Sequence, residues 1–290
     1  MINRKVAMIK TPQASPGFLG KGHMAVNVID GSAQGQTDPF ILLIDDHVDL
    51  PGNEVVGGPH PHAGFEIGTL VLEGDTGIGK HGSATGDLEW LTAGSGVVHT
   101  EEIKSSVKLR ILQLWIRLPK DKMWVEPKWQ KISKISVPAL QFGGSEVLVY
   151  SGKAFGLSSP IHTEVPTLIL HCTLAAQDEL EIPLPSDYNV LIYMLSGSVY
   201  IGEDESFIRS NEVAWLDKPA QITDSCLKIK GSNASSIFVL YAAQPQGYDI
   251  LRKGPFISDE ESKLQELYAK FRSGQMPYAT ELSDSHRISY

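Results

Sequence analysis

Cysteine is scarce: only Cys172 and Cys226 occur in 290 residues. Two cysteines are too few for a disulfide framework, which excludes the small, disulfide-stapled class of domain. In a cytosolic chain both are expected to be reduced, small and buried. Long apolar runs are missing as well, and none approaches the ~20 residues that a membrane-crossing helix requires. Residues 1–10 carry basic side chains with no apolar stretch behind them, so no signal peptide is expected and the chain is placed in the cytoplasm. Positive charge is also short, with 25 Lys and Arg against 34 Asp and Glu and a net charge of −9. That balance argues against direct nucleic-acid contact through a basic face and leaves small molecules and proteins as partners. Helical periodicity is nearly absent before the C-terminal region. What remains is 42% apolar and 20% charged, the composition of a packed chain with room for one large or two ordinary domains.

The chain is rich in β-like alternation punctuated by glycine. Pro59-His60-Pro61-His62 follows the turn Gly57-Gly58, and Val97-Val98-His99-Thr100-Glu101 follows Thr92-Ala93-Gly94-Ser95-Gly96. Residues i and i+2 of a strand share a face, so His60 projects beside His62, and His99 beside Glu101. If the two strands lie close, four ligands converge. Three imidazoles and a carboxylate suit Fe(II), Mn, Ni, Cu or Zn far better than Mg or Ca. With nine histidines in the chain, one His-x-His pair means little; two complementary pairs in matching contexts mean much more. Pro61 lacks an amide hydrogen, so its strand is expected at an edge or a bulge. Glu66 lies four residues after His62 and shares the ligand face if the strand stays regular, which makes it the rival of Glu101. The other histidines read differently. His23 looks like a solvated loop residue and His81 an exposed hairpin position. Asp45-Asp46-His47 looks like a strand end with nothing nearby to complete a ligand set.

Residues 119–140 mix proline with tryptophan and read as a connector between domains. Beyond it the chain appears again in weaker form. Leu70-Val71-Leu72-Glu73-Gly74 has a counterpart in Tyr193-Met194-Leu195-Ser196-Gly197, and Asp87-Leu88-Glu89-Trp90-Leu91 in Glu212-Val213-Ala214-Trp215-Leu216. The two spacings nearly agree, as a duplicated β-barrel requires. No histidine pair survives in the second copy, so one metal site in the first is expected. Near the end, Ser258 with Glu261 reads as a capping box. Leu264, Leu267, Tyr268 and Phe271 then form one apolar helix face, and Gly274 ends it.

Three runs carry a family resemblance. They are His60-Pro61-His62-Ala63-Gly64-Phe65-Glu66, the stretch from Gly86-Asp87-Leu88-Glu89-Trp90 through His99-Thr100-Glu101, and Gln113-Leu114-Trp115-Ile116-Arg117-Leu118-Pro119, with Gly254-Pro255-Phe256 in support. Together they resemble the pirin family of the cupin superfamily, over roughly residues 40–277 and most closely over 59–119. The resemblance implies an all-β fold of two face-to-face cupin β-barrels, a bicupin, with a C-terminal helix. The expected domains are 1–125, which binds metal, and 126–290, which does not and ends in the helix. One divalent transition metal is implied, iron(II) first and Mn, Ni, Cu or Zn as alternatives, on His60, His62, His99 and Glu101. The general cupin pattern would use Glu66 instead.

The resemblance further implies a metal-dependent dioxygenase similar to quercetin 2,3-dioxygenase, with a flavonol-like aromatic substrate and O₂, and with Glu101 also as the catalytic base. The alternative is a metal-binding regulatory protein acting through protein partners, as the eukaryotic members are described. Two departures from the family bear on the substrate. Ala63 stands where arginine is usual, which points to a larger or less anionic substrate, and Glu89 stands where glutamine is usual. Phe65 and Trp90 are expected as apolar pocket walls.

Overall fold

A computed structural model describes residues 1–32, 34–50, 52, 55–76, 82–104 and 108–290, excepting the side chains of Gln34, Glu101 and Lys104. His81 lies outside the described residues. The chain forms two compact units, one of residues 14–136 and 246–290, the other of residues 1–13 and 137–245. Each is built mostly of antiparallel β-structure, with one parallel strand pair among the described residues of each, Ile2–Asn3 on Asp224–Gly231 and Arg287–Ser289 on Lys128–Ile132.

In the second unit, a seven-stranded sheet and a five-stranded sheet enclose a core of Leu, Ile, Val and Phe. The strand Glu179–Pro185 shows why: Leu180, Ile182 and Leu184 are buried while the residues between them are exposed, the period of two that a half-buried strand demands. In the first unit, an eight-stranded sheet is joined by a separate two-stranded ribbon, Val55–His62 with Val97–Lys104. The repeat is visible in strand pairing. Phe65–Glu73 pairs with Leu88–Thr92, as Asn189–Ser196 pairs with Val213–Leu216.

The units exchange chain ends, and here the structure departs from the expected division at 125/126. The long connection falls at 136/137, inside the proline-bearing connector. Part of that connector, Lys128–Ile132, is itself a strand on Leu88–Thr92 and takes Arg287–Ser289 on its other edge. Val6–Lys10 adds to Val213–Leu216. Edge pairing between segments so far apart in sequence leaves no local signature. The terminal helix, Glu261–Arg272, consequently belongs with the histidine-bearing unit. Leu264 and Leu267 pack on Ala63, Val98 and Phe256. Its start is later than expected: Glu260 is the cap residue, and Ser258 is a buried strand residue whose hydroxyl accepts a hydrogen bond from the Glu260 amide. Gly274 does end it, at φ +69.

Among the described residues no helix is long and apolar enough to cross a membrane. Cys172 and Cys226 are free and buried. Asp45, Asp46 and His47 form ion pairs on the strand Phe40–Asp49. Asp45 accepts two hydrogen bonds from Arg110, at 2.9 and 2.7 Å, and lies 3.2 Å from His47. His23 is not solvated but buried, 2.7 Å from Asp46.

Burial alone would raise the Asp45 pKa, but Arg110 and His47 outweigh it and draw the carboxyl from 3.8 down to about 2. The stabilisation is complete above the unfolded value and is lost as pH falls through the folded one. Between pH ~4 and ~2 the protein should lose on the order of 2 kcal/mol through this group. Urea unfolding across that window measures it, and Asp45→Asn should flatten the curve; an unchanged slope would remove the assignment.

Candidate metal centre

The two-stranded ribbon places the histidines. Its register sets His60 directly opposite His99, with Pro61 against Val98 and Gly58 against Glu101. Opposed residues of an antiparallel pair share a face, and His62 lies two residues along the same strand. Pro61 is tolerated because the ribbon has free edges, and the far side of the partner strand is used by the Val98 amide, which donates to the Pro277 carbonyl at 2.8 Å.

The outcome is a cluster of His60, His62 and His99 whose candidate ligand atoms all lie within 4.8 Å of one another. Ring centroids are 4.4 to 4.9 Å apart. His60 Nδ1 lies 2.9 Å from the Gly58 carbonyl, which can only accept, so that nitrogen carries the proton and Nε2 presents its lone pair. His60 Nε2 is 2.9 Å from His99 Nε2. Two nitrogens each about 2.1 Å from one metal and at right angles across it stand about 3 Å apart. His62 is buried, and its Nδ1 has no hydrogen-bond partner among the described residues.

Burial, then the neighbouring His60, holds the His62 pKa down at about 3, with the nearby Pro255 backbone opposing slightly. Burial and then His62 and His60 hold His99 well below the ordinary histidine value. Imidazoles packed this closely, two of them held below the ordinary histidine value, fit a divalent transition metal.

The carboxylates separate. Glu101 sits in the strand two residues past His99, as expected; its side chain lies outside the described residues. Glu66 does not join the cluster. The strand breaks at Ala63-Gly64, where Gly64 takes φ +86, and restarts at Phe65. The break resets the alternation, so a side chain four residues on from His62 no longer faces it. Glu66 is fully buried on the other side of the sheet, where its Oε1 accepts hydrogen bonds from Trp90 Nε1 at 3.0 Å and Thr92 Oγ1 at 2.8 Å.

The same parity sorts the expected pocket walls. Phe65 stacks beside His62 and Trp115, at 5.3 and 4.3 Å between ring centroids. Trp90 lies on the opposite face over Gly68, where an added Cβ would meet its ring at 2.7 Å. Ala63 is buried beneath the terminal helix, so it does not set the pocket's charge.

A cavity of about 380 Å³ opens beside His99 within the same unit. Its walls follow strand alternation: Ile67, Thr69 and Val71, then Glu89 and Leu91, then Leu109 and Ile111, closed by Trp129 and by Ala279, Thr280 and Arg287 from beyond the helix. Glu89 is the functional candidate that the sequence flagged only as a departure. The signal was a charged residue in phase with the apolar Leu91. Its exposed surface faces the cavity; protein encloses it otherwise, and burial raises its pKa despite hydrogen bonds from Ser83 and Trp129.

Comparison with known proteins gives two family matches, pirin over residues 23–116 and the pirin C-terminal cupin domain over residues 169–277. Human pirin is 33% identical over 247 residues, covering 82% of each chain. Among solved structures, a quercetin 2,3-dioxygenase from Acinetobacter baumannii superposes with a TM-score of 0.81 at 24% identity, over 96% of this chain and 99% of that one. The bacterial pirin YhhW from Escherichia coli, in complex with nickel(II), gives 0.62 at 18% identity over 82% and 99%. At these identities the two structures establish a shared fold: a largely β chain of two cupin domains and one C-terminal helix.

Proposed function

The chain belongs to the pirin family, and from that premise we propose that it is a metal-dependent dioxygenase that cleaves a flavonol-type substrate with O₂. The observation that carries the reading is the cluster of three histidines with His99 on the wall of a mainly apolar cavity. In the proposal Glu101 is the fourth ligand and iron(II) the resident metal, with manganese, nickel or copper able to replace it. Zinc, which has no redox chemistry, would not support the reaction. The nickel(II) complex of the E. coli pirin and the A. baumannii dioxygenase, both of this fold, support it.

Bound on these residues, the metal supplies Lewis acidity that lowers the pKa of a chelating substrate hydroxyl, together with redox access to O₂. The rest falls to the protein. His60 is fixed in one tautomer by the Gly58 carbonyl. The Leu91, Ile111 and Trp129 walls orient an aromatic ring system and exclude water. Glu101 takes the proton from the substrate hydroxyl as general base.

The test is an oxygen electrode with quercetin. Iron-, manganese- or nickel-loaded protein should consume O₂ and release carbon monoxide, and His99→Ala should do neither. No flavonol-dependent uptake above the variant with any of the three metals would leave the regulatory reading, in which the centre shapes a surface for a protein partner.

A further inference from the structure

The cavity has a second polar end. Glu89 lies in register with Thr69, two residues along the strand pair from the Ile67–Leu91 row and four from Phe65, which touches His62. At about 3.4 Å per residue, that places Glu89 some ~13 Å along the sheet from the histidine end. The span suits a ligand of several fused or linked rings.

The two carboxyl oxygens of Glu89 are unequally bound. Oε1 accepts a hydrogen bond from the Ser83 hydroxyl. Oε2 has only Trp129 Nε1, at 3.4 Å, outside the usual range for a good N–H···O bond. The nearby cation, Lys131, lies 3.1 Å from Asp87 and donates to the Gly82 carbonyl at 2.5 Å, and acts on Glu89 from a longer range. Among the described residues no cation pairs with Glu89. A half-buried carboxyl oxygen with one weak partner, facing a cavity, has room for a hydrogen bond from the ligand.

Resting on the flavonol reading, we propose that Glu89 is a specificity-determining residue: its Oε2 hydrogen-bonds a hydroxyl on the ring system remote from the chelating oxygens, and so selects hydroxylated flavonols. Burial raises the Glu89 pKa, with Asp87 adding to it and Ser83, Trp129 and Lys131 opposing. A carboxyl in this setting suits a phenol, which both donates and accepts.

The experiment is binding, not turnover. Iron(II)-loaded protein is titrated without oxygen against quercetin, which has ring hydroxyls beyond the chelating pair, and against 3-hydroxyflavone, which has none. Tryptophan fluorescence reads the binding. Wild type should favour quercetin by about 5–10-fold, the worth of one hydrogen bond. Glu89→Leu should bring the ratio to about one, and the near-isosteric Glu89→Gln should retain most of it. Equal binding of the two flavonols to wild type, or an undiminished ratio in Glu89→Leu, would overturn the proposal and leave the dioxygenase reading standing. Failure of both flavonols to bind would remove the two together.

Discussion

Changing His60 and His62 together to alanine is expected to take metal content from about one transition metal per chain to near zero. Residues that merely support a ligand cost ~10–100-fold in metal affinity when lost, so removing two ligands should exceed the upper end of that range. The fold should survive. The histidines lie on a two-stranded ribbon outside the eight-stranded sheet, and the His62 ring packs on Phe65 and Trp115 at the edge of an apolar cluster that otherwise stays intact. The informative comparison is with the two glutamates. Glu66→Gln should keep its metal, because Glu66 faces Trp90 and Thr92, and should register as a stability loss of about 1–3 kcal/mol from a disturbed buried hydrogen-bond pair. Glu101→Gln should weaken metal binding with little change in stability. Elemental analysis of freshly purified proteins, paired with thermal melts, checks all three. Full metal in the double histidine variant would end the assignment. Metal lost from Glu66→Gln but kept in Glu101→Gln would transfer the carboxylate role to Glu66.

The histidine cluster was legible because it depends on short-range geometry alone. Two i, i+2 pairs in strand-like sequence need only pair with each other, and the register does set His60 against His99. The position of Glu66 was not legible, since it turns on whether a strand continues through Ala63-Gly64 or breaks there. One residue of phase decides which face four later side chains occupy. Trp90 faces away because its neighbours Glu89 and Leu91 take the cavity side of its own strand, and Ala63 is covered by a helix that arrives from residues 261–272. The exchange of chain ends rests on edge strands, whose partners are chosen by unpaired backbone rather than by side-chain pattern. Glu89 stood out by type, but its meaning required the cavity. A glutamate in a strand is ordinarily solvated, and only the strand on the far side of Thr69 and the Trp129 wall enclose this one.

Gly64→Ala should therefore be among the most damaging single substitutions in the unit, and should cost both stability and metal. The residue sits at φ +86, which an alanine adopts only at a penalty, and its Cβ would stand 2.1 Å from the Ile257 carbonyl oxygen. That carbonyl cannot retreat freely: Ile257 also donates its amide to the Ala63 carbonyl at 3.0 Å, and Phe256 beside it anchors the terminal helix cluster. Backbone strain and displaced packing together should cost about 2–4 kcal/mol. For a unit of this size that is roughly 5–15 °C in melting temperature. The metal should weaken as well, because the turn at Gly64 fixes where His62 ends and Phe65 begins, and Phe65 packs on the His62 ring. Gly20→Ala separates the causes. Gly20 has a similar φ of +92 in the same unit with nothing within 4 Å of an added Cβ, so it bears the conformational penalty without the clash. It should cost ~1 kcal/mol and leave metal content unchanged. A Gly64→Ala protein that melts like Gly20→Ala and keeps a full complement of metal would show that the turn does not position the ligand strand.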